Sequence, residues 1–139
     1  EVRDAFETDP RNQHVPLTMD PVPPCWIQGD RGSAHQVLAN LLSNGRKALH
    51  NQPNPRLHLA FQAEGDTLTV RVEDNGRGMT SEQIKTAFVP FVSGFDEGTG
   101  LGLSLVYQFV QRMDWDIALT SQPGVGTTVQ LNIPLVPGP

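Results

Sequence analysis

The chain has 139 residues, a formal net charge of −5, and 37% hydrophobic against 18% charged residues. This size and balance predict one folded domain around a single core and exclude a disordered chain. No basic cluster is longer than Arg46-Lys47, which argues against a nucleic-acid surface.

Cysteine content and hydropathy exclude further classes. The single cysteine, Cys25, excludes an internal disulfide and is expected to be a small buried hydrophobe, and no Cys/His grouping has zinc spacing. The chain carries no signal peptide, no repeat and no apolar run that could cross a bilayer. We therefore expect a soluble cytoplasmic domain without direct membrane contact. The abrupt start at Glu1 suggests an excised segment, whose parent protein could be anchored in the inner membrane.

The first third of the chain predicts a linker, two short strands and a long helix. Residues 1–14 are polar without a sustained period and are interpreted as a linker or the tail of a preceding segment. Residues 15–20 predict an edge strand, because Pro16 cannot donate a ladder hydrogen bond. Residues 25–28 predict a second strand, and Asp30 fits the N-cap of a helix over 31–49.

Two faces of this helix differ in character. The apolar stripe is predicted to contain Val37, Leu38, Leu41, Leu42 and Leu49. Another face carries polar residues at intervals of four, four and three, namely Gln36, Asn40, Asn44 and Lys47. Asparagines reduce helix propensity but offer amide oxygens to a hard cation. The alternative is an ordinary solvated face.

A predicted β-hairpin in the middle of the chain ends in an acidic residue. A half-buried strand over 57–62 turns at Gly65-Asp66 into a strand over 68–73. Side chains alternate in a strand, so Asp74 ends a core-facing row that also holds Leu68, Val70 and Val72. A carboxylate facing a hydrophobic layer needs a strong donor, because burying an unpaired charge is costly. A ligand could supply that donor.

The segment after this strand runs Asp74-Asn75-Gly76-Arg77-Gly78-Met79. Its two glycines let the backbone turn sharply and approach a flat ligand closely, which a Cβ would prevent. The alternative is a hairpin turn, since the same residues are good turn formers.

The last third predicts two helices and two strands. A short helix begins at residues 80–83, and Phe88-Val-Pro-Phe91 ends it. The glycine-rich run 98–103 then opens an amphipathic helix, whose apolar residues are Leu101, Leu105, Val106, Phe109, Val110 and Met113. Free N–H groups at such a helix start form an anion site, although a flexible loop with a helix cap is the alternative.

The final strands are predicted over 116–121 and 127–133. Thr127 begins a core-facing row with Val129, Leu131 and Ile133, much as Asp74 ends one. Residues 135–139 are predicted to be a proline-rich tail. The folded domain is accordingly placed at 15–135, with 136–139 as the C-terminal tail.

Four segments together resemble a known family. Asn40-Leu-Leu-Ser-Asn44, Asp74-Asn-Gly-Arg-Gly78, Phe88-Val-Pro-Phe91 and Gly98-Thr-Gly-Leu-Gly-Leu103 resemble the N, first glycine, F and second glycine boxes of sensor histidine kinase catalytic domains, in the GHKL superfamily. The resemblance covers about residues 25 to 135. It implies a Bergerat fold, an α/β (α+β) two-layer sandwich with helices on one face of a mixed, mainly antiparallel sheet.

The resemblance also implies residue roles. Asp74 would accept a hydrogen bond from the adenine amino group of ATP, with Thr127 assisting and Gly76 and Gly78 beside the purine. Asn44 would give an oxygen to Mg²⁺, with Asn40 and Lys47 nearby as catalytic residues. The remaining nucleotide-binding residues would come from the F box and the lid: Phe91, Gly98, Thr99, Gly100, Leu101, Gly102 and Leu103.

The implied activity is transfer of the ATP γ-phosphate to a histidine on a separate dimerisation domain of the same protein, with a response regulator as indirect partner. Superfamily members that hydrolyse ATP are known for a glutamate at the position of Asn40, and an amide is no base. The alternatives are a free-standing ATPase and a degenerate nucleotide-binding module.

Departures from the family pattern bear on these expectations. The four histidines, His14, His35, His50 and His58, lie in none of the expected acceptor contexts, so the acceptor is expected on another segment. Val92-Ser93-Gly94 and the acidic pair Asp96-Glu97 stand where Thr-Thr-Lys is frequent. No Lys or Arg lies between Phe91 and Gly98, which motivates the degenerate alternative.

Overall fold

The computed structural model of the chain describes residues 16–23, 25–88 and 102–137. Its strands are β1 (Leu17–Met19), β2 (Trp26–Ile27), β3 (Leu57–Glu64), β4 (Thr67–Asp74), β5 (Asp116–Gln122) and β6 (Gly126–Val136). Its helices are α1 (Arg31–Ala48), α2 (Ser81–Thr86) and α3 (Gly102–Arg112).

The strands form a mixed sheet in the order β1-β3-β4-β6-β2, and β5 also pairs with β6. Only the β1–β3 pair is parallel among these ladders. β1 lies at the sheet edge next to Pro16, as predicted from the proline. The long strand β6 is central because it pairs with β4, β5 and β2.

Helices α1 and α3 pack against each other and cover one face of this sheet. The helix residues Val37, Leu41, Leu42, Val106 and Val110 share one buried cluster with the strand residues Leu68, Val70, Val72, Val129, Leu131 and Ile133. Side chains on the other sheet face are mostly polar, and Arg71 Nε donates to Gln130 Oε1 across β4 and β6 at 3.1 Å. The two-layer α/β sandwich expected from the sequence is confirmed.

Helix α1 begins and ends where the sequence predicted. The Asp30 carboxylate accepts the Ser33 N–H at 2.9 Å, which caps the first turn. Arg46 and Lys47 lie in the last turn, where their positive charges interact favourably with the negative end of the helix dipole. Val37, Leu41, Leu42 and Leu49 are buried, as predicted, and Leu38 packs against the core.

The apolar face of α3 differs from the prediction at Leu105. Leu105 is 41% exposed, whereas Leu103 and Ser104 are buried. The buried row on this helix is Leu103, Val106 and Val110, and Met113 directly after the helix is also buried. Each residue advances about 100° around a helix, so Leu105 is turned away from the stripe that includes Val106.

The C-terminal strand is longer than predicted. β6 continues to Val136, because Leu135 and Val136 pair with Ile27 and Trp26 of β2. The Leu135 N–H also donates to the Asp66 carbonyl at 2.8 Å. The predicted tail at 135–139 is therefore wrong at these two positions.

Cys25 is half-buried rather than buried, although it packs against the core. In the ranges that the structure describes, no helix has both the length and the apolar character needed to cross a membrane.

Candidate functional site

Asp74 ends β4 with its side chain on the core-facing side. Leu68, Val70 and Val72 precede it in the same row and are buried. Burial raises the pKa of the Asp74 carboxyl to about 6, and hydrogen bonds from the backbone N–H groups of Gly76 and Thr127 oppose that rise. The Gly76 N–H lies 2.9 Å from Oδ1. Two backbone donors thus hold the carboxylate and leave acceptor positions for a further donor.

The glycine segment after β4 packs on the protein's own backbone. A Cβ on Gly76 would lie 2.3 Å from the Ala48 carbonyl oxygen, and one on Gly78 would lie 2.1 Å from the Gln122 oxygen. Gly78 also has φ +71°, a backbone conformation that is strained for residues with a side chain. Both glycines are therefore required by close contacts within the fold. The sequence predicted that these glycines let the backbone approach a ligand. In the structure they also let it approach the end of α1 and the end of β5.

This segment is not a hairpin turn. It leads from β4 into helix α2 rather than into a paired strand. The strands that flank β4 are β3 on one side and β6 on the other. The Arg77 N–H donates to the Ala48 carbonyl at 3.1 Å, and the Arg77 carbonyl accepts the Gly124 N–H at 2.8 Å. The segment consequently joins the end of α1 to the turn between β5 and β6, and the hairpin alternative is wrong.

Thr127 is buried and lies directly opposite Asp74 in the β4–β6 ladder. Its Oγ1 is 2.7 Å from Ser121 Oγ, and Ser121 is in turn its ladder partner on β5. The Ser121 hydroxyl also accepts the Met79 N–H at 2.8 Å. Three neighbouring strands therefore end in polar residues at one corner of the sheet.

Ser121 was missed in the sequence, although its signal matched that of Asp74. It ends an inward-facing row on β5, after Ile117 and Leu119, which pack against the core. A polar residue at the end of an apolar alternating row marks all three members of this corner. Gly126 was also missed; a Cβ there would lie 2.1 Å from the Asp74 carbonyl oxygen.

Asn44 faces the same corner from α1. Its Nδ2 is buried and has no hydrogen-bond partner among the described residues. A buried amide N–H without a partner is costly, so this nitrogen is suited to a hydrogen-bond acceptor on a ligand. An amide oxygen is a hard donor of the kind that Mg²⁺ accepts.

Asn40 and Lys47 occupy other positions on α1. Asn40 Oδ1 accepts from Gln36 Nε2 at 3.0 Å, and Lys47 is half-buried in the last turn. They share the helix with Asn44, but neither is among the residues that line the described part of the cleft.

A narrow cleft between α1, α3 and the sheet brings the site together. Its lining is mainly apolar, with three polar side chains, and comprises Leu41, Asn44, Gly45, Ala48, Val72, Asp74, Met79, Leu103, Thr127 and Val129. Among the described residues the cleft encloses about 20 Å³, which is room for a water rather than a nucleotide. Its apolar lining with a few convergent polar groups is the character of one part of a small-molecule site. Of the predicted residues, Asn44, Asp74, Thr127 and Leu103 line it together.

The predicted lid lies mostly beyond the described ranges. Phe91, Gly98, Thr99, Gly100 and Leu101 fall outside them. Gly102 is the first residue of α3, which fits the predicted helix start. At the F-box end, the Phe88 ring stacks on Tyr107 of α3 with centroids 5.3 Å apart.

The fold and this cleft define a two-layer α/β domain with a candidate small-molecule site between its helices and sheet. Residues 29–137 match the family model described as histidine kinase-, DNA gyrase B-, and HSP90-like ATPase. The chain belongs to this family.

Relatives and solved structures agree with the family. The chain is 35% identical over 123 residues to sensor histidine kinase RcsC of Escherichia coli (strain K12), covering 84% of this chain and 13% of RcsC. Mycobacterial sensor histidine kinase MprB superposes with a TM-score of 0.83 at 22% identity, covering 99% of this chain and 91% of that one. Full-length ShkA in complex with AMPPNP superposes with a TM-score of 0.79 at 23% identity, covering 99% of this chain and 30% of ShkA. The chain thus spans about an eighth of RcsC, and the structural likenesses show the fold.

Proposed function

We propose that this chain is the ATP-binding catalytic domain of a sensor histidine kinase. The observation that carries the proposal is the inward-facing Asp74 carboxylate, which shares one cleft with Thr127 and Asn44. Asp74 accepts a hydrogen bond from the adenine amino group, and the apolar wall of Leu41, Val72 and Met79 packs on the purine. The AMPPNP bound to ShkA is an adenine nucleotide, which supports this choice of ligand.

The phosphate end of the nucleotide lies toward α1 and the start of α3. Asn44 would contribute an amide oxygen to a bound Mg²⁺, which would neutralise negative charge on the phosphates. Within the described ranges no group of three or more His, Cys, Asp or Glu side chains could hold a metal by itself. Lys47 and Asn40, on the same helix, assist at the phosphates, and residues 98–102 supply backbone N–H groups at the start of α3.

The reaction is phosphoryl transfer rather than hydrolysis. The lone pair of a neutral imidazole nitrogen attacks the γ-phosphorus, an N–P bond forms, the bond from phosphorus to the β,γ-bridging oxygen breaks, and ADP leaves. Imidazole needs no base to become a nucleophile near neutral pH. Asn40 supports this direction, because its amide cannot activate water and its oxygen already accepts from Gln36.

The acceptor histidine lies on a dimerisation domain of the same protein, and a response regulator receives the phosphoryl group afterwards. We also infer that the domain acts in the cytoplasm.

Phosphotransfer to a separately purified dimerisation domain tests this function. The 139-residue chain is mixed with that domain and γ-labelled ATP, and both acid-labile label on the domain and free phosphate are measured over time. The proposal expects labelled histidine and little free phosphate. Steady phosphate release without label would instead indicate an ATPase, and nucleotide binding with neither product would indicate a degenerate binding module.

A further inference from the structure

The Ser121 hydroxyl makes three hydrogen bonds where β5 ends. It accepts the Met79 N–H at 2.8 Å, donates to the Gly126 carbonyl at 3.0 Å and lies 2.7 Å from Thr127 Oγ1. These partners belong to the segment after β4 and to the first two residues of β6. One side chain on β5 therefore ties together the two backbone segments that flank Asp74.

The number of protons at this junction fixes the direction of the hydrogen bond between the Ser121 and Thr127 hydroxyls. A serine hydroxyl has one proton and two lone pairs. The Met79 N–H occupies one lone pair, and the Gly126 carbonyl takes the proton. The second lone pair must then accept the proton of Thr127 Oγ1, since the reverse arrangement would set two oxygen lone pairs against each other at 3.0 Å.

The consequence lies in the cleft that Thr127 lines. With its proton held by Ser121, Thr127 Oγ1 can offer only lone pairs to a ligand, and its opposed neighbour Asp74 offers carboxylate lone pairs. The wall is then made of acceptors. An exocyclic amino group with two N–H donors suits such a wall, whereas a carbonyl oxygen there meets further lone pairs.

We propose that Ser121 is a positioning residue that holds the Thr127 hydroxyl as an acceptor and thereby favours 6-amino over 6-oxo purine nucleotides. The proposal rests on the proposed function, because it concerns how the same cleft reads a purine.

The test compares the dissociation constants of ATP and ITP, which carry an amino group and a carbonyl at the same purine carbon. In Ser121→Ala the Thr127 proton is free to turn toward the ligand, so ATP is expected to bind less tightly and ITP more tightly. The ratio of the ITP to the ATP dissociation constant should fall about three- to tenfold. Ser121→Thr keeps the hydroxyl and should retain the ratio of the unmodified chain.

Three further variants separate this effect from a general loss of structure. Thr120→Ala removes an exposed hydroxyl from the other face of β5 and should leave the ratio unchanged. Thr127→Val should itself lower the ratio, and adding Ser121→Ala to it should cause no further fall. If Ser121→Ala does not fold, Thr127→Val alone still tests whether the Thr127 hydroxyl distinguishes the two purines.

Equal weakening of both nucleotides in Ser121→Ala, or an unchanged ratio in Thr127→Val, would overturn the positioning role. Either result would leave the proposed function intact, because the unmodified chain would still bind ATP. Failure of the unmodified chain to bind ATP would instead refute the proposed function itself.

Discussion

Asp74 and Thr127 lie directly opposite each other where the β4–β6 ladder ends, and the Thr127 N–H donates to the Asp74 carboxylate. The Gly76 N–H donates to the same carboxylate at 2.9 Å. Both donors are backbone groups, so the strand register and the glycine segment hold the charge without a basic side chain. The remaining lone pairs face the cleft, where an amino group can bind.

Nucleoside binding should weaken in acid. The pKa of Asp74 is raised to about 6 by burial, and the protonated carboxyl loses much of its acceptor strength. Adenosine is the suitable probe, because it has no phosphate that titrates in this range. Its affinity should fall about tenfold between about pH 7 and about pH 5. Titration calorimetry over that interval measures the change, and a flat profile would show that Asp74 does not contact the base.

Stability of the nucleotide-free chain should depend on pH in the opposite sense. The pKa of Asp74 is about 6 in the folded chain against 3.8 ordinarily, so the folded state holds more protons between these values. The contribution of this carboxyl to stability is complete below 3.8 and is lost as pH rises through about 6. Asp74→Asn removes that dependence. Its free energy of unfolding should exceed that of the unmodified chain by on the order of 2 kcal/mol near neutral pH, measured by urea unfolding, and no excess would contradict the cause assigned to the pKa.

Asn44→Ala should separate metal-dependent binding from base recognition. Loss of the amide oxygen removes a magnesium ligand, so the Mg²⁺-dependent gain in ATP affinity should fall about tenfold. Adenosine affinity should change less than twofold. The free energy of unfolding should not decrease, because Nδ2 has no hydrogen-bond partner among the residues that the structure describes. Equal losses for ATP and adenosine would make Asn44 a structural residue.

Gly78→Ala should destabilise the fold through two separate effects. The residue has φ +71°, and its Cβ would lie 2.1 Å from the Gln122 carbonyl oxygen. Gly124 offers a matched control, because it has φ +77° with no atom within 4 Å of an added Cβ. We expect a loss of about 3 kcal/mol for Gly78→Ala and about 1 kcal/mol for Gly124→Ala in urea unfolding. Similar losses in both variants would mean that the contact with Gln122 relaxes.

Much of the fold followed from local patterns in the sequence. The alternation in β4 placed Asp74 on the core side, and the Asp30 cap and apolar spacing placed α1 within a residue at each end. Leu105 was misplaced because the apolar residues of α3 occupy more than one row of the helix, and packing against α1 and the sheet decides which row is buried. The length of β6 depended on pairing with β2, which no local pattern contains.

The residues of the candidate site were predictable where they carried a local pattern, and their contacts with one another were not. Asp74 and Thr127 each stood at the end of an apolar row, a local signal. That they are ladder partners is a matter of register between distant strands, as is the pairing of Thr127 with Ser121. The contacts of Gly76 with Ala48 and of Gly78 with Gln122 likewise arise only when the chain is folded.

The most direct measurement is calorimetric titration of ATP into the unmodified chain and Asp74→Asn, with Glu73→Gln as control. Glu73 is the preceding residue of β4 and pairs with His58 and Thr128 on the opposite sheet face. ATP affinity should fall about ten- to a hundredfold in Asp74→Asn, because the charged acceptor is lost. In Glu73→Gln the ATP affinity should stay unchanged. Unchanged affinity in Asp74→Asn would contradict the assignment of this cleft as the adenine site.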